Sequence, residues 1–553
     1  MFGTRAVLFA RVWGVAETDA QLQAENIRLR QQAHYYQSLH AKAVAKLQAA
    51  EGIIAALKEK LAEMARRLFG RRTEKNQAGG ASTSTQDPEK RPRGQQRGRP
   101  GHGRQRRPNL PVQRLLVDLP GGAPPCGQCG QPYRHNGTAR SYAEIVWEVH
   151  LFRRFVVCQQ YEQACACPKP GLPRWVVAPP PARLIERGLL SVESIVEGLL
   201  RKFLYFMPVE RLVAEWRQLG VAVSPGTWCG TFQRLVPLLR PLVEALREAC
   251  RADRRWLMDE TRWEVFVALE GKGSFRWWLW VAVSPRVKLY LLSPSRGSGV
   301  PKQFFGYDPS QGQCQWTGPL MVDRYASYKF LATLLTLAFC WTHVRRDFVE
   351  AQAGARAEQV AWAQVWIERI GGLYELNAKR LELGQDPKGP KLPAPFVRMD
   401  PERLAGVDYQ KADASLRQAV ALFHGQWEGE LGQERRLPIR RRKILESLRT
   451  HWSGLTLFVE NPEIPMDNNG SERAIRSGAL ARNNFYGSGA VWSGELLAMM
   501  LTILQTGLMH KLNLRGYLID YLQACAQHGG QAPKDLDGWL PWNYRPPERA
   551  LGP

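Results

Sequence analysis

Acidic residues are scarce in this chain. Its 51 Asp and Glu stand against 76 Lys and Arg, a formal net charge of +25, with a pI near 9.9. That imbalance excludes a polycationic partner and leaves a polyanion, with nucleic acid ahead of an anionic membrane surface. Cysteine is sparse as well. Ten cysteines scattered over 553 residues make no disulfide scaffold and fit a reducing cytoplasm. No uninterrupted apolar run approaches the roughly 20 residues of a spanning helix, so no membrane is expected. The longest, Leu331–Trp341, reads as a core helix. The first residues, Met1–Val15, are weakly apolar but carry Arg11 and no small-residue cleavage site, so no secretory signal is expected. Apolar residues are not lacking: at 44% with 19 Trp, the composition is that of a globular protein. The length suits roughly three or four units.

Positions 19–69 carry Asn26, Ala33, His40, Leu47, Ile54, Leu61 and Leu68 at seven-residue steps. Leu22, Leu29, Tyr36, Ala43, Ala50, Leu57 and Met64 match them. Unbroken heptads without proline predict a coiled coil that pairs protomers into a homodimer or higher oligomer. A single long helix packed on its own protein has the same pattern. Positions 70–115 form a basic linker too poor in apolar residues to order itself. Within it, Arg97-Gly98-Arg99-Pro100 resembles the AT-hook core, an extended segment that lies in the narrow minor groove of A·T-rich DNA. A solvated basic tether is the plainer reading.

Positions 116–180 hold two cysteine pairs, Cys126 with Cys129 and Cys165 with Cys167, around a β-rich stretch. Four thiolates closing a small β unit suit a structural Zn²⁺ site. Cys158 is an alternative ligand, and reduced, unliganded thiols are the other reading. Positions 181–250 read as helical. A turn at Gly220 and a helix opening at Ser224-Pro225 give a helix-turn-helix outline, which an ordinary helical hairpin shares. Positions 251–349 and 456–527 read as two parts of an α/β unit: three strand-like runs from Arg255, a fourth ending in Asp323, then helices. Positions 350–455 are mostly helical, with a basic patch at Pro438–Lys443, and 528–553 form a C-terminal tail.

The chemistry gathers on three acids. Asp259 and Asp323 each end an apolar strand, and Glu472 opens a helix after the turn-forming run Asp467–Ser471. Three such carboxylates can converge on divalent cations, Mg²⁺ or Mn²⁺, for displacement at phosphorus. Arg473, Arg476, Arg482, Asn483 and Tyr486, with His343, Arg345 and Arg346 on another helix, are then expected to face the DNA backbone. Glu472 with Arg476 is also an ordinary helical i,i+4 pair. Strand alternation sets Glu260 on the face opposite Asp259, while Asp467 and Glu495 remain weaker substitutes for Glu472.

The blocks "LMDET", "GPLMVDRYASY", "FCWTHVRRDF" and "IPMDNNGSERAIR…RNNFYGSG" resemble the signature blocks of IS66-type transposases, DDE enzymes of bacterial insertion sequences. "RRLFGRRTEK" and the cysteine pairs match that family's N-terminal half, although Cys165-Ala166-Cys167 is C-x-C where many relatives show C-x-x-C. The resemblance implies a multidomain, mainly α protein with an α/β RNase H-like core carrying a helical insertion, behind an N-terminal coiled coil and a small zinc-binding β unit. It implies Asp259, Asp323 and Glu472 as the catalytic triad. The implied activity is DNA transposition: binding of terminal inverted repeats, metal-dependent strand cleavage and strand transfer, in the cytoplasm at the nucleoid, with other proteins of the same element as possible partners. An inactive DNA-binding protein, or a nuclease without strand transfer, are the rival readings.

Overall fold

A computed structural model gives the architecture. It describes residues 175–547 apart from 269–273, 354 and 434–436, together with 123–134, 149, 151–162 and scattered positions between 23 and 44. The chain divides into two compact units, Met1–Tyr142 and Ala143–Pro553.

In the first unit, the described positions between 23 and 44 are helical and exposed. The remaining heptads and the linker with Arg97 and Arg99 lie outside the described residues. Cys126 and Cys129 occupy a tight turn. The Gly130 amide donates to the Cys126 carbonyl at 3.0 Å and the Cys126 amide to the Gln131 carbonyl at 2.7 Å. Gly130 takes φ of 73°, a conformation that a side chain would strain. Amides of Cys129 and Gln128 hydrogen-bond the Cys126 sulfur and hold its thiol below the usual range.

The second unit opens with a short antiparallel pair, Gln160–Glu162 with Trp175–Val177; Cys165 and Cys167, between them, lie outside the described residues. Helices α1 (Val192–Leu199), α2 (Val209–Gln218) and α3 (Pro225–Ala252) follow. The turn and cap are those the sequence predicts: Gly220 has φ of 84°, and the Ser224 hydroxyl accepts the Thr227 amide at 3.1 Å. Helix α3, at 28 residues, runs on to the central sheet. Its Leu239, Leu242, Leu246 and Cys250 are buried in the core that the sheet shares, and the Trp256 indole donates to the Cys250 carbonyl at 2.7 Å.

That sheet has five strands: β1 (Trp256–Glu264), β2 (Arg276–Val283), β3 (Lys288–Ser293), β4 (Pro319–Val322) and β5 (Thr336–Phe339). Their order is β3-β2-β1-β4-β5. The first three form an antiparallel meander, and β4 and β5 run parallel to β1. Two sequence expectations need correction. Leu331–Trp341 is not a helix: it splits into a 3₁₀ turn and the strand β5, and a helix begins only at Trp341. A buried parallel strand is apolar on both faces, so its run lacks the alternation that separates strand from core helix. Nor does Asp259 end its strand, because β1 continues to Glu264 as half of the hairpin with β2.

Helices α4 (Trp341–Gln352), α5 (Ala357–Gly384), α6 (Val407–Leu431) and α7 (Ile439–Leu455) build a second apolar core of their own, rich in tryptophan. Trp341, Trp366, Phe423 and Trp452 meet edge to face or stacked in it. Fully buried Arg380 pairs with Asp413 at 2.8 Å and donates to the carbonyls of Phe458 and Val459. The chain then returns to the sheet through α8 (Asn469–Phe485), α9 (Val491–Met509) and α10 (Leu514–Gln527). Among the described helices, α9 is long and apolar enough to cross a bilayer, and most of it is buried within the protein. It lies against edge strand β3, whose Lys288 and Tyr290 amides donate to the hydroxyls of Thr506 and Thr502.

Candidate active site

The parallel part of the sheet sets the geometry. Trp256 pairs with Leu320 and Leu257 with Met321. Continuing that register by two residues brings Asp323 level with Asp259. Val322 pairs with Phe339 on the other side, so Cys340 stands level with Asp323. Three adjacent strands therefore present Asp259, Asp323 and Cys340 side by side, Asp259 within β1 and the other two just past the carboxyl ends of β4 and β5, where ligands of α/β sheets gather.

Helix α8 brings the third acid. Asn468, 1% exposed, donates its side-chain amide to the Met258 carbonyl at 2.8 Å and its main-chain amide to Cys340 Sγ at 3.2 Å. Its own carbonyl accepts the Ser471 hydroxyl at 2.9 Å and the Glu472 amide at 3.1 Å. One asparagine thus ties the helix start to β1 and to the residue after β5. Gly470 permits the approach, since a Cβ there would stand 2.7 Å from Pro395 Cδ and 3.1 Å from Leu257 Cδ2. Gly478, two turns on, lies as close to Leu279 of β2. Asp467 accepts the Asn469 amide at 3.0 Å and serves the turn.

The acids feel one another. Burial first, then the charge of Glu260, and with them Asp323 and Glu472, push the Asp259 carboxyl up to about 8, against the opposing pull of the Glu260 amide. Glu260 is otherwise engaged: its buried carboxylate pairs with Arg296 at 2.8 Å and accepts the Tyr328 hydroxyl at 2.8 Å. Asp323 accepts the Tyr325 amide at 2.9 Å. Hard oxygen donors of this kind suit divalent cations such as Mg²⁺ or Mn²⁺, whose charge offsets the cost of ionising a buried carboxylate.

Of the basic residues, His343 and Arg346 on α4 turn to Glu472. His343 Nδ1 stands 3.7 Å from Oε1, and an Arg346 nitrogen 4.0 Å from Oε2. Burial, then Arg346, lower the His343 imidazole below its ordinary range. Arg345 is half-buried on the same helix. Arg473, Arg476, Asn483 and Tyr486 are exposed along α8 and its end, and Tyr486 takes φ of 61°. Arg482 instead donates to the Thr261 hydroxyl and the Arg262 carbonyl, fastening α8 to β1. Arg324, next to Asp323, reaches Asp347 of α4 and Ser447 of α7, both at 2.6 Å.

Sequence reading missed Asn468, Cys340 and Gly470 as parts of this site. The asparagine was hidden in a run of turn formers. The C-x-x-H spacing of Cys340 and His343 was the available signal for the cysteine.

Residues 187–496 match the family model described as Transposase IS66 family. The chain belongs to that family. A transposase role follows from membership. Two relatives from Sinorhizobium fredii are the uncharacterized proteins y4jD and y4qI. The first is 24% identical over 455 residues, 79% of this chain and 81% of its own length. The second is 26% identical over 393 residues, 66% of this chain and 65% of its own length. No solved structure matches. The family match takes in the whole of β1–β5, α4–α8 and the three acids.

Proposed function

We propose that the chain is a DNA transposase that cuts and joins strands at the site of Asp259, Asp323 and Glu472. The observation that carries this reading is the level placement of the two aspartates on adjacent parallel strands, with Glu472 delivered by the Asn468 tie. The order β3-β2-β1-β4-β5, with the helices α5–α7 lying between α4 and α8, supports an RNase H-like core interrupted by an insertion. When bound, Mg²⁺ or Mn²⁺ supplies charge neutralisation at the phosphate and a more acidic attacking water. Asp259 within β1 and Asp323 just past the end of β4 would hold fixed oxygens, and Glu472 would close the set from the helix. Arg473, Arg476 and Tyr486 face solvent along the same helix and its end, where they meet the DNA backbone.

Two further parts belong to this reading. Cys126 and Cys129, in a knuckle-like turn, are thiolate donors to a structural Zn²⁺, and the α2–α3 hairpin reads the transposon ends. The heptads of 19–69 pair protomers so that two ends meet.

The test is a cleavage and joining assay on the flanking DNA of the element with Mg²⁺ or Mn²⁺. Asp323→Asn is expected to abolish both steps and leave DNA binding intact. Cleavage that survives the substitution sinks the assignment. Cleavage by the native chain without joined products from a pre-cut end favours a nuclease.

A further inference from the structure

One cluster at this site is unlike the acids beside it. Cys340 Sγ, a His343 ring nitrogen and a Glu472 carboxylate oxygen all lie within 4.8 Å of one another. These are soft, intermediate and hard donors, a mixture that Mg²⁺ does not take and that a borderline transition ion does. The two atoms that face each other, His343 Nδ1 and Glu472 Oε1, are buried and have no hydrogen-bond partner among the described residues. Their separation is 3.7 Å. Ligands about 2.0–2.3 Å from a tetrahedral Zn²⁺ stand roughly 3.3–3.8 Å apart, so these two already span one edge of such a site.

The backbone explains why the donors meet. Cys340 is the last residue before α4, fixed in register by β5. His343 follows one turn later on the same helix face. Glu472 comes from the facing start of α8. The Asn468 amide points at Cys340 Sγ from 3.2 Å. An N–H donor on a ligating sulfur orients it and disperses its charge, as supporting hydrogen bonds around bound metals do.

We infer that Cys340, His343 and Glu472 form a binding site for a single Zn²⁺-class ion, separate in chemistry from the hard cations of the aspartates. Three protein ligands leave a fourth position for water or a phosphate oxygen. On binding, the sulfur–metal bond forms as the thiol proton leaves to solvent. The ion holds α4 to α8 and fixes the orientation of Glu472. This inference rests on the reading above only for the closeness of Glu472 to the reacting phosphate; the ion's binding stands or falls by itself.

The experiment uses the full chain, stripped of metal under reducing conditions and titrated with Co²⁺, whose thiolate charge-transfer absorption reports sulfur ligation. The native chain is expected to bind one equivalent more than Cys340→Ser or His343→Gln, with a stronger thiolate band than Cys340→Ser. Thiolates of the other cysteine pairs contribute equally to all three proteins. Should Cys340→Ser fail to fold, since Cys340 is fully buried, His343→Gln, at a less buried position, decides alone. Equal stoichiometry in the native chain and His343→Gln overturns the inference. Asp259→Asn separates the two proposals: it is expected to keep the extra equivalent and lose cleavage. If Asp259→Asn cleaves normally, the proposed function fails while the cobalt result stands; if it is inactive and no extra equivalent exists, the ion site alone fails.

Discussion

The side-chain amide of Asn468 and the carbonyl of Met258 are joined by a buried 2.8 Å hydrogen bond, which pins the chain four residues before Glu472 to the strand residue just before Asp259. Replacing Asn468 by Ala leaves the Met258 carbonyl unsatisfied and is expected to cost about 1–3 kcal/mol. Cleavage should fall further than stability does, with DNA binding kept. Urea unfolding beside a cleavage assay checks both, and unchanged cleavage would remove Asn468 from the site.

Gly470→Ala probes the same junction by volume. Its methyl would press on Pro395 and Leu257, and overpacking of this kind costs about 1–3 kcal/mol. The start of α8 should lift from β1, so that the variant folds with a lower Tm and cleaves poorly. A variant equal to the native chain in Tm and cleavage would show that the junction gives way freely.

Asp259 makes the metal-free protein sensitive to pH. An ordinary aspartate ionises near pH 4, while this carboxyl is held up to about 8. Between those values the folded chain keeps a proton that the unfolded chain has lost, so stability falls as pH rises through that window. Asp259→Asn should flatten the slope and make the apo protein more stable than the native chain at pH 8. Added Mg²⁺ should raise the Tm of the native chain at that pH and leave the variant nearly unmoved. Thermal unfolding at several pH values, with and without Mg²⁺, tests this; parallel slopes in both proteins would refute it.

Exposed and fastened arginines of α8 should behave differently. Removing Arg473 and Arg476 together is expected to lower the slope of log binding constant against log salt by about 2, without sequence preference. Arg482→Ala, which loses the link to Thr261 and the Arg262 carbonyl, should instead cost about 1–2 kcal/mol of stability. Salt-dependent DNA titrations and unfolding curves distinguish the two behaviours.

In the helical insertion, Arg380→Ala takes the donor from the Phe458 carbonyl, while Asp413 and the Val459 carbonyl keep Arg417. Leaving one buried acceptor unsatisfied costs about 1–3 kcal/mol. Hydrogen exchange should show the junction of α5, α6 and the Phe458–Val459 turn opening before the sheet does.

The sheet was largely legible from the chain. The meander runs from Arg255 are apolar and separated by turn signals, and Ser224-Pro225 announced the start of α3. The strand β5 was not legible, because its adjacent Leu337 and Ala338 are both buried, which breaks the alternation, and the run passes at once into α4. For the site, residue types identified Asp259, Asp323 and Glu472, but only strand register shows the first two to be level. Nothing in the run Asp467–Ser471 distinguishes the deeply buried Asn468 from the exposed turn asparagine it resembles. A tie formed across 210 positions leaves no local trace.

Arg324 binds Asp347 of α4 and Ser447 of the helical insertion while sitting beside Asp323. That guanidinium is one of several links between the far helices and the sheet, beside the Trp341 indole on the Leu455 carbonyl and Gly454 against Phe339. A change in the insertion that shifts Ser447 would therefore be felt one residue from Asp323.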